Sequence, residues 1–306
     1  MKALPAAAAV LLTLMGTAQA QTRPPIPAVS HLAVYATDLA KAEAFYVGQL
    51  GAVKLPDPED PAGVRFYFSP TQFVEVLPLP AGYASINRLV HAAFATPDAE
   101  GMRRYLAAKG VTVPAAVMKG SDGSAWFDVS DPEGTPVRFV QGPAKLPDVP
   151  RNPLSSRVMH VGFIIHNRAN QDKFYKDILG FRPYWEGGMS DDKASWVSIQ
   201  VPDGRDWLEY MIVGTPDTLG IPEGMSQATL GIFNHFALGV PDTRVAYTTL
   251  WNGARLDGQK EVPKIGRDAK WQLNLYDPDG TRAELMEFHA IGKPCCSPFK
   301  AEDPTP

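Results

Sequence analysis

Residues 158–180 read VMHVGFIIHNRANQDKFYKDILG, and residues 29–51 read VSHLAVYATDLAKAEAFYVGQLG. Both stretches begin with an apolar run that carries one histidine, His31 or His160, and both continue into a helical pattern that ends at a glycine. This order predicts a strand followed by an amphipathic helix. Because the two stretches align at a constant offset of 129 residues, the chain contains an internal repeat.

The repeat extends to the end of each copy. Residues 131–135 read DPEGT and residues 277–281 read DPDGT, at an offset of 146 residues. The strand-then-helix order returns at 91–109 and at 235–254, so each copy contains two related units, and short β-rich runs follow every helix. We therefore predict an α+β fold of four βαβββ modules paired into two domains, with the modules at about 28–80, 88–142, 156–214 and 232–289.

The remaining segments frame these domains. Residues 1–20 carry one lysine, an apolar stretch and the small-x-small end Ala18-Gln19-Ala20, which predict a cleaved signal peptide and a periplasmic or secreted protein. We place the N-terminal domain at 26–142, a linker at 143–153, the C-terminal domain at 154–290 and a tail at 291–306. We expect this proline-rich tail to be weakly ordered. The alternatives for its adjacent Cys295 and Cys296 are a strained redox-active disulfide or a cross-link to a partner.

Composition argues against two classes of partner. The net charge is -4 over 306 residues and no basic run occurs, so we expect neither nucleic acid nor an anionic membrane as a partner. Beyond the N-terminal segment, no stretch approaches the roughly 20 apolar residues of a membrane helix. We expect a monomer or homodimer that acts on a small-molecule substrate.

Polar residues recur on strands that should be apolar. Four of the six histidines stand at equivalent positions in the opening strand of each module, namely His31, His91, His160 and His235. His160 and His235 are 75 residues apart, and so are Glu209 and Glu284. A carboxylate on an apolar face is costly unless it is paired or bound to a cation. Two like modules packed about a local two-fold axis would gather these four side chains around one divalent ion, which would be Zn, Ni, Co, Mn or Fe(II).

The N-terminal copy differs at one of the four positions. His31, Glu75 and His91 occupy three of them, but Arg138 stands where Glu284 stands in the second copy. A guanidinium cannot ligate a metal and repels one. We therefore predict a degenerate N-terminal site, in which Arg138 pairs with Glu75, and an intact site in the C-terminal domain.

Three further patterns are less specific. His166 and His289 follow strand ends and are interpreted as surface residues. Five of the six tryptophans lie in the C-terminal half, where they either fill the core or form the wall of an organic-ligand site. A basic group precedes the last strands and is interpreted as solvated loop charge, with contact to an anionic substrate as the alternative; its members are Lys264, Arg267 and Lys270.

At these residues the sequence resembles the vicinal oxygen chelate superfamily, which includes glyoxalase I, methylmalonyl-CoA epimerase, fosfomycin and bleomycin resistance proteins and the type I extradiol dioxygenases. The resemblance is carried by the helix ending at 174–181, FYKDILGF, by the closing stretch 277–285, DPDGTRAEL, and by the His/Glu/His/Glu order. It implies that two oxygens of a substrate bind to the metal, whose charge stabilises an enolate, alkoxide or peroxo species.

The resemblance leaves three functions open. A glyoxalase-like lyase or isomerase, which we rank first, would use Glu209 or Glu284 as the general base. An extradiol ring-cleaving dioxygenase would hold Fe(II) with His160, His235 and Glu284. Those enzymes carry a further histidine and a tyrosine before the closing motif, whereas residues 264–275 contain no histidine. The third function is non-catalytic sequestration of a hydrophobic ligand.

Overall fold

Sixteen strands form two sheets of eight in the residues that this computed structural model describes, 22–188, 190–213 and 234–306. The N-terminal sheet contains β1 (Val29–Ala36), β2 (Val53–Pro56), β3 (Val64–Ser69), β4 (Gln72–Pro78), β5 (Leu89–Ala95), β6 (Met118–Lys119), β7 (Ala125–Ser130) and β8 (Pro136–Gln141). The C-terminal sheet contains β9 (Val158–Ile165), β10 (Arg182–Gly187), β11 (Trp196–Gln200), β12 (Trp207–Ile212), β13 (His235–Val240), β14 (Lys264–Ile265), β15 (Trp271–Tyr276) and β16 (Arg282–Glu287).

Each module carries one helix after its first strand. These are α1 (Leu39–Glu43), α2 (Ala99–Ala108), α3 (Arg168–Asp172) and α4 (Thr243–Asn252), and α1 and α3 continue as π-helical turns at Ala44–Gln49 and Lys173–Ile178. Asp38 caps α1 by accepting from the backbone N–H groups of Ala40 and Lys41, and Gly51 follows the π turn with a φ of +74°. The terminating glycine is as predicted, and both the acidic N-cap and the left-handed glycine are local signals.

The opening strands of the two modules pair at the centre of each sheet. β1 is antiparallel to β5, and β9 is antiparallel to β13. The last strand of each module lies parallel to its own opening strand, so the C-terminal sheet has the order β10-β11-β12-β9-β13-β16-β15-β14, and the N-terminal sheet repeats this order. The α+β class and the pairing of four βαβββ modules into two domains are thereby confirmed. All four histidine-bearing strands lie at sheet centres.

The repeated motifs of the two copies meet across the domain interface. The hydroxyl of Tyr46 donates to Asp277 at 3.0 Å, and the hydroxyl of Tyr175 donates to Asp131 at 3.3 Å. Each tyrosine belongs to the helical segment of one copy, and each aspartate begins the closing turn of the other copy. The apolar residues around them form one core that includes both halves of the chain. The two motifs therefore make a reciprocal contact between the domains.

The C-terminal tail packs on the C-terminal domain, contrary to the expectation of weak order. The Phe299 ring lies 5.0 Å from the Tyr184 ring, and the fully buried ammonium of Lys270 donates to Asp303 at 2.6 Å. The interpretation of Lys270 as solvated loop charge is wrong for the same reason. A sequence pattern could not reveal this contact, because the partners are 33 residues apart and meet only in the folded chain.

Cys295 and Cys296 form a disulfide with each other. The carbonyl of Cys295 accepts from the indole N–H of Trp185 at 3.1 Å, and Arg267 lies 4.0 Å from the sulfur of Cys296. The pair therefore lies at the edge of the C-terminal sheet, beside residues that line the cavity described below.

Candidate metal centre

The C-terminal sheet presents all four predicted ligands on one face. Glu209, Gly162 and His235 lie level with one another on β12, β9 and β13. In the next such row, His160 on β9 and Glu284 on β16 flank a residue of β13. Residues level on neighbouring strands share a face, as do residues two apart on one strand. Gly162 has no side chain, and the imidazole of His235 occupies the space above it.

Three of the four ligands converge, and the fourth is set apart. The Nε2 atoms of His160 and His235 are 3.0 Å apart, and Nε2 of His235 is 3.1 Å from Oε2 of Glu209. Ligand atoms of these three residues all lie within 4.8 Å of one another. Oε2 of Glu284 is 3.7 Å from Nε2 of His160, and Glu284 stays outside that group. The sequence predicted four convergent ligands. In the structure, Glu284 instead lies beside Arg282, with 3.6 Å between the charged groups.

This geometry fits a divalent cation. Ligand atoms that bind one metal at about 2.0–2.2 Å lie about 3.0–3.6 Å from each other. The distances from Nε2 of His235 to Nε2 of His160 and to Oε2 of Glu209, 3.0 Å and 3.1 Å, have this spacing. His160 and His235 are fully buried. Burial and the neighbouring His235 hold the pKa of His160 well below its ordinary value, so its imidazole is neutral, the form that binds a metal.

The two glutamates have different surroundings. Glu209 is partly exposed, and its Oε1 accepts from the Ser198 hydroxyl at 3.3 Å. Glu284 is buried, and burial raises its pKa to about 7, although Arg282 opposes the shift. A cation placed beside Glu284 would favour the charged form of that carboxylate.

Aromatic rings support the first histidine of each copy. Trp207, which is buried, stacks on His160 with ring centroids 4.5 Å apart and planes 27° apart. Phe73 stacks on His31 in the same way, with centroids 4.3 Å apart. The stacked ring fixes the plane of the imidazole and therefore the direction in which its nitrogen points.

A cavity of about 340 Å³ opens onto Glu209 and Glu284. Alternate residues of β15 and β16 line it, and these are Gln272, Asn274, Tyr276, Arg282 and Met286. Its size is at the lower end of the roughly 300–1,000 Å³ that is typical of small-molecule sites. Sequence analysis did not identify these lining residues, although alternation from Glu284 along β16 would have indicated Arg282 and Met286. The β15 residues depend on strand register, which no local pattern gives.

Part of the predicted aromatic wall and basic group also lines the cavity. Trp185 and Trp196 contribute two of the five tryptophans of the C-terminal half, whereas Trp251 is exposed on α4. Lys264 and Arg267 contribute the two lining members of the basic group. The cavity therefore combines apolar walls with charged groups near the candidate metal ligands.

The N-terminal copy gathers the same three ligand types. Nε2 of His31 is 2.8 Å from Nε2 of His91, which is 3.2 Å from Oε2 of Glu75. Arg138 takes the place of the fourth ligand, with its Nη1 3.8 Å from Oε2 of Glu75. The predicted pairing of Arg138 with Glu75 is thus present, at the outer limit of an ion pair.

A buried charge network surrounds this N-terminal group. Arg65 lies level with Glu75 on the neighbouring strand and pairs with Asp57 at 3.1 Å and with Glu59 at 2.5 Å. Arg138 also contacts Glu59. The ligand atoms of His31, Glu75 and His91 lie within 4.8 Å of one another, as in the C-terminal group, but two guanidinium groups already face the carboxylates and would repel a second metal ion. Sequence analysis missed this network, because it joins a strand residue to a loop whose position is set by the fold.

The remaining histidines are surface residues, as predicted. The side chains of His166 and His289 are 61% and 71% exposed. Both lie outside the groups of candidate metal ligands found among the described residues.

The chain belongs to the Glyoxalase/Bleomycin resistance protein/Dioxygenase superfamily, whose family model matches residues 28–139 and 157–285. The resemblance predicted from the sequence is confirmed. A comparison with curated protein sequences finds no significant match. In the described parts of the chain, no helix has the length and apolar character needed to cross a membrane.

Solved structures of two dioxygenases and of a glyoxalase share this architecture. Homoprotocatechuate 2,3-dioxygenase from Brevibacterium fuscum, in complex with 3,4-dihydroxyphenylacetate, is 17% identical with a TM-score of 0.63, and the match covers 92% of this chain and 86% of that one. The 2,3-dioxygenase LapB from Pseudomonas sp. KL28 is 14% identical with a TM-score of 0.60, covering 87% and 93%. The Mn(II)-bound glyoxalase from Novosphingobium aromaticivorans is 18% identical with a TM-score of 0.60, covering 86% and 83%. At these identities the likeness establishes the fold.

Proposed function

We propose that this chain is a metal-dependent enzyme that holds one divalent ion with His160, Glu209, His235 and Glu284. In this proposal it catalyses proton transfer on a small organic substrate with vicinal oxygens, as a glyoxalase-like lyase or isomerase. The observation that carries the proposal is the presence of Glu209 in one tight group with both histidines. A three-ligand site made of His160, His235 and Glu284 would leave the carboxylate of Glu209 without a role. A divalent ion bound there would polarise the substrate oxygens and stabilise the charge that develops on them.

Glu284 is the better-placed general base of the two glutamates. It lines the cavity and lies outside the tight group, whereas Glu209 is held 3.1 Å from His235 and accepts a hydrogen bond from Ser198. A general base must come within hydrogen-bond reach of the proton that it removes. Glu284 can do so without breaking the contact between Glu209 and His235. The walls formed by Trp185 and Trp196 would orient the substrate and limit access of water.

Paired amide variants test these roles. We expect Glu209→Gln to weaken Co(II) binding, and we expect Glu284→Gln to retain Co(II) and to lose at least about 100-fold in rate, the range of general-base contributions. The rate would be measured by NMR as deuterium exchange from solvent next to the carbonyl, in a panel of 2-hydroxycarbonyl compounds and 2-oxo acids. His166→Ala, at an exposed position, is the control. Full exchange activity in Glu284→Gln would refute the assignment of the base.

Metal stoichiometry tests the centre itself. We expect one Co(II) per chain, lost in His160→Ala and His235→Ala and retained in His91→Ala, because guanidinium groups occupy the N-terminal site. Elemental analysis of dialysed protein measures this. Two equivalents in the native chain, with one lost in His91→Ala, would show that the N-terminal group binds metal after all.

An extradiol dioxygenase is the second candidate, and the observation that favours it is the two-domain likeness to homoprotocatechuate 2,3-dioxygenase over 92% of this chain. Against it, the cavity-lining residues that the structure describes include no histidine. Oxygen uptake by Fe(II)-loaded protein with catechols distinguishes the two functions. Uptake with ring cleavage would favour the dioxygenase, and oxygen-independent exchange would favour proton transfer. Ligand binding without metal would instead support sequestration.

Export is part of the proposal and depends on residues 1–20, which lie outside the described residues. We propose that the protein is periplasmic or secreted after cleavage behind Ala20. N-terminal sequencing of the protein from cell fractions tests this. An intact Met1 on cytoplasmic protein would refute it.

A further inference from the structure

We propose that Arg282 binds an anionic oxygen of the substrate beside the metal, so that the cavity selects negatively charged chelators over neutral ones. This inference rests on the metal centre and the function proposed above. Arg282 stands on β16 two residues before Glu284, on the same face of the strand, and it lines the cavity. Its side chain is 10% exposed. The guanidinium is therefore largely removed from bulk water and depends on protein or ligand oxygens for its hydrogen bonds.

Arg282 has hydrogen-bond donors that the described residues leave unused. Its Nε atom is buried and has no hydrogen-bond partner among them. Its Nη2 is 3.6 Å from Oε2 of Glu284, which is an electrostatic contact beyond normal hydrogen-bond distance. Buried side-chain donors are nearly always satisfied in folded proteins. An oxygen of a bound ligand would supply the missing acceptor.

The other two cations that line the cavity already have partners. Nζ of Lys264 is 2.9 Å from Glu261, and Arg267 forms an ion pair with Asp191. Arg282 is thus the lining cation with unused donors in the described part of the chain. The equivalent position in the N-terminal copy is Pro136, so this cation is confined to the copy with the full ligand set.

The charge balance at the centre also favours an anion. A divalent ion would neutralise Glu209 and Glu284, and neutral histidines add no charge. The guanidinium of Arg282 would then lie beside an ion whose charge its two carboxylate ligands balance. Asp268, a further carboxylate that lines the cavity, accepts from the backbone N–H of Lys270 at 3.1 Å, and its charge interacts with the buried ammonium of Lys270. In a poorly solvated cavity, an anionic ligand is attracted by both the ion and the guanidinium.

The substrate class follows from these features. Two vicinal oxygens would bind the ion, at least one of them carrying negative charge, as in a 2-hydroxy or 2-oxo carboxylate. The rest of the molecule would be apolar, because Trp185, Trp196, Met211 and Met286 form the walls. Mandelate has this chemistry, and mandelamide is its neutral isostere.

Titration of Co(II)-loaded protein with mandelate and mandelamide, followed by the visible spectrum of the ion, tests the inference. We expect mandelate to bind at least about 10-fold more tightly, and Arg282→Met to weaken mandelate binding by about 10- to 100-fold while leaving mandelamide unchanged, since hydrogen bonds to charged groups have this strength. Arg282→Lys should retain part of the preference. Arg267→Met, in which a paired lining arginine is removed, should change affinity by less than about 3-fold.

Three results would overturn the assignment of Arg282. The first is equal affinity for mandelate and mandelamide, and the second is mandelate binding that does not change in Arg282→Met. The third is loss of Co(II) from Arg282→Met, because that result would show that Arg282 supports Glu284 instead. If the native chain takes up no Co(II), the proposed function fails first, and the role of Arg282 fails with it. Co(II) uptake with no charge preference would refute only the present inference.

Discussion

Removal of the Tyr46 hydroxyl should destabilise the protein more than removal of the equivalent Tyr175 hydroxyl. Tyr46 donates to Oδ2 of Asp277 at 3.0 Å, in a site where both residues are buried. Oδ2 of Asp131 accepts from Tyr175 at 3.3 Å, but it also accepts from Gln171 at 3.0 Å. Loss of the tyrosine hydroxyl therefore leaves Asp131 with a second side-chain donor and leaves Asp277 without its tyrosine.

The magnitude follows from the cost of an unmade hydrogen bond to a buried charged group. Tyr46→Phe should lower the free energy of unfolding by about 1.5–3 kcal/mol, and Tyr175→Phe by about 0.5–1.5 kcal/mol. Asp277→Asn in combination with Tyr46→Phe completes a double-mutant cycle that isolates the pair. Urea unfolding followed by circular dichroism measures the native protein, the three single variants and the double variant.

The penalty of Tyr46→Phe should also depend on pH. Burial raises the pKa of Asp277 from 3.8 to about 6, and the Tyr46 hydrogen bond opposes that shift. A carboxyl group with a raised folded-state pKa contributes stability that is complete below pH 3.8 and is lost as the pH rises through 6. Without Tyr46 the folded-state pKa rises further, so the penalty should grow from pH 4.5 to pH 7.5. Equal losses in the two tyrosine variants, or a penalty that falls with pH, would refute this account.

Three further outcomes are expected. Trp207→Leu removes the ring that stacks on His160 and should weaken Co(II) binding by about 10- to 100-fold, as substitutions next to metal ligands do; unchanged affinity in a competitive titration would contradict this. Lys270→Met leaves Asp303 without its buried partner and should lower the free energy of unfolding by about 3 kcal/mol. Proteolysis of the tail should also become faster, and a tail that stays protected would show that other contacts hold it. His166→Ala breaks an exposed ion pair and should change stability by less than about 1 kcal/mol, with Co(II) content unchanged.

The ends of several elements could be predicted because they depend on neighbours in sequence. Asp38 caps α1 through backbone groups two and three residues away, and Gly51 ends the same segment through its own backbone conformation. β9 and β13 begin at Val158 and His235, the residues at which the predicted strand-then-helix stretches begin. In the second and fourth modules, the first strand after the helix is β6 or β14, which is only two residues long and is defined by its pairing, so no local pattern predicts it.

The candidate site was predicted only as far as repetition allows. Equal spacing of His160, His235, Glu209 and Glu284 showed that they occupy equivalent places, and the pairing of β9 with β13 brings those places together. Spacing could not show that Glu284 stays 3.7 Å from His160 beside Arg282. That distance depends on side-chain packing and local charge, which periodicity does not contain.

By itself, the sequence determined the modules, their number, the candidate ligand residues and the replacement of one of them by Arg138. These features follow from side-chain type and strand alternation, which act over a few residues and repeat with the chain. Tertiary structure alone decided the cavity along β15, the buried partner of Lys270, the packing of the tail and the reciprocal contact of Tyr46 with the opposite domain. The contacts of Lys270 with Asp303 and of Tyr46 with Asp277 join residues 33 and 231 positions apart. Such contacts exist only after strand register and domain packing have fixed the distances between distant parts of the chain.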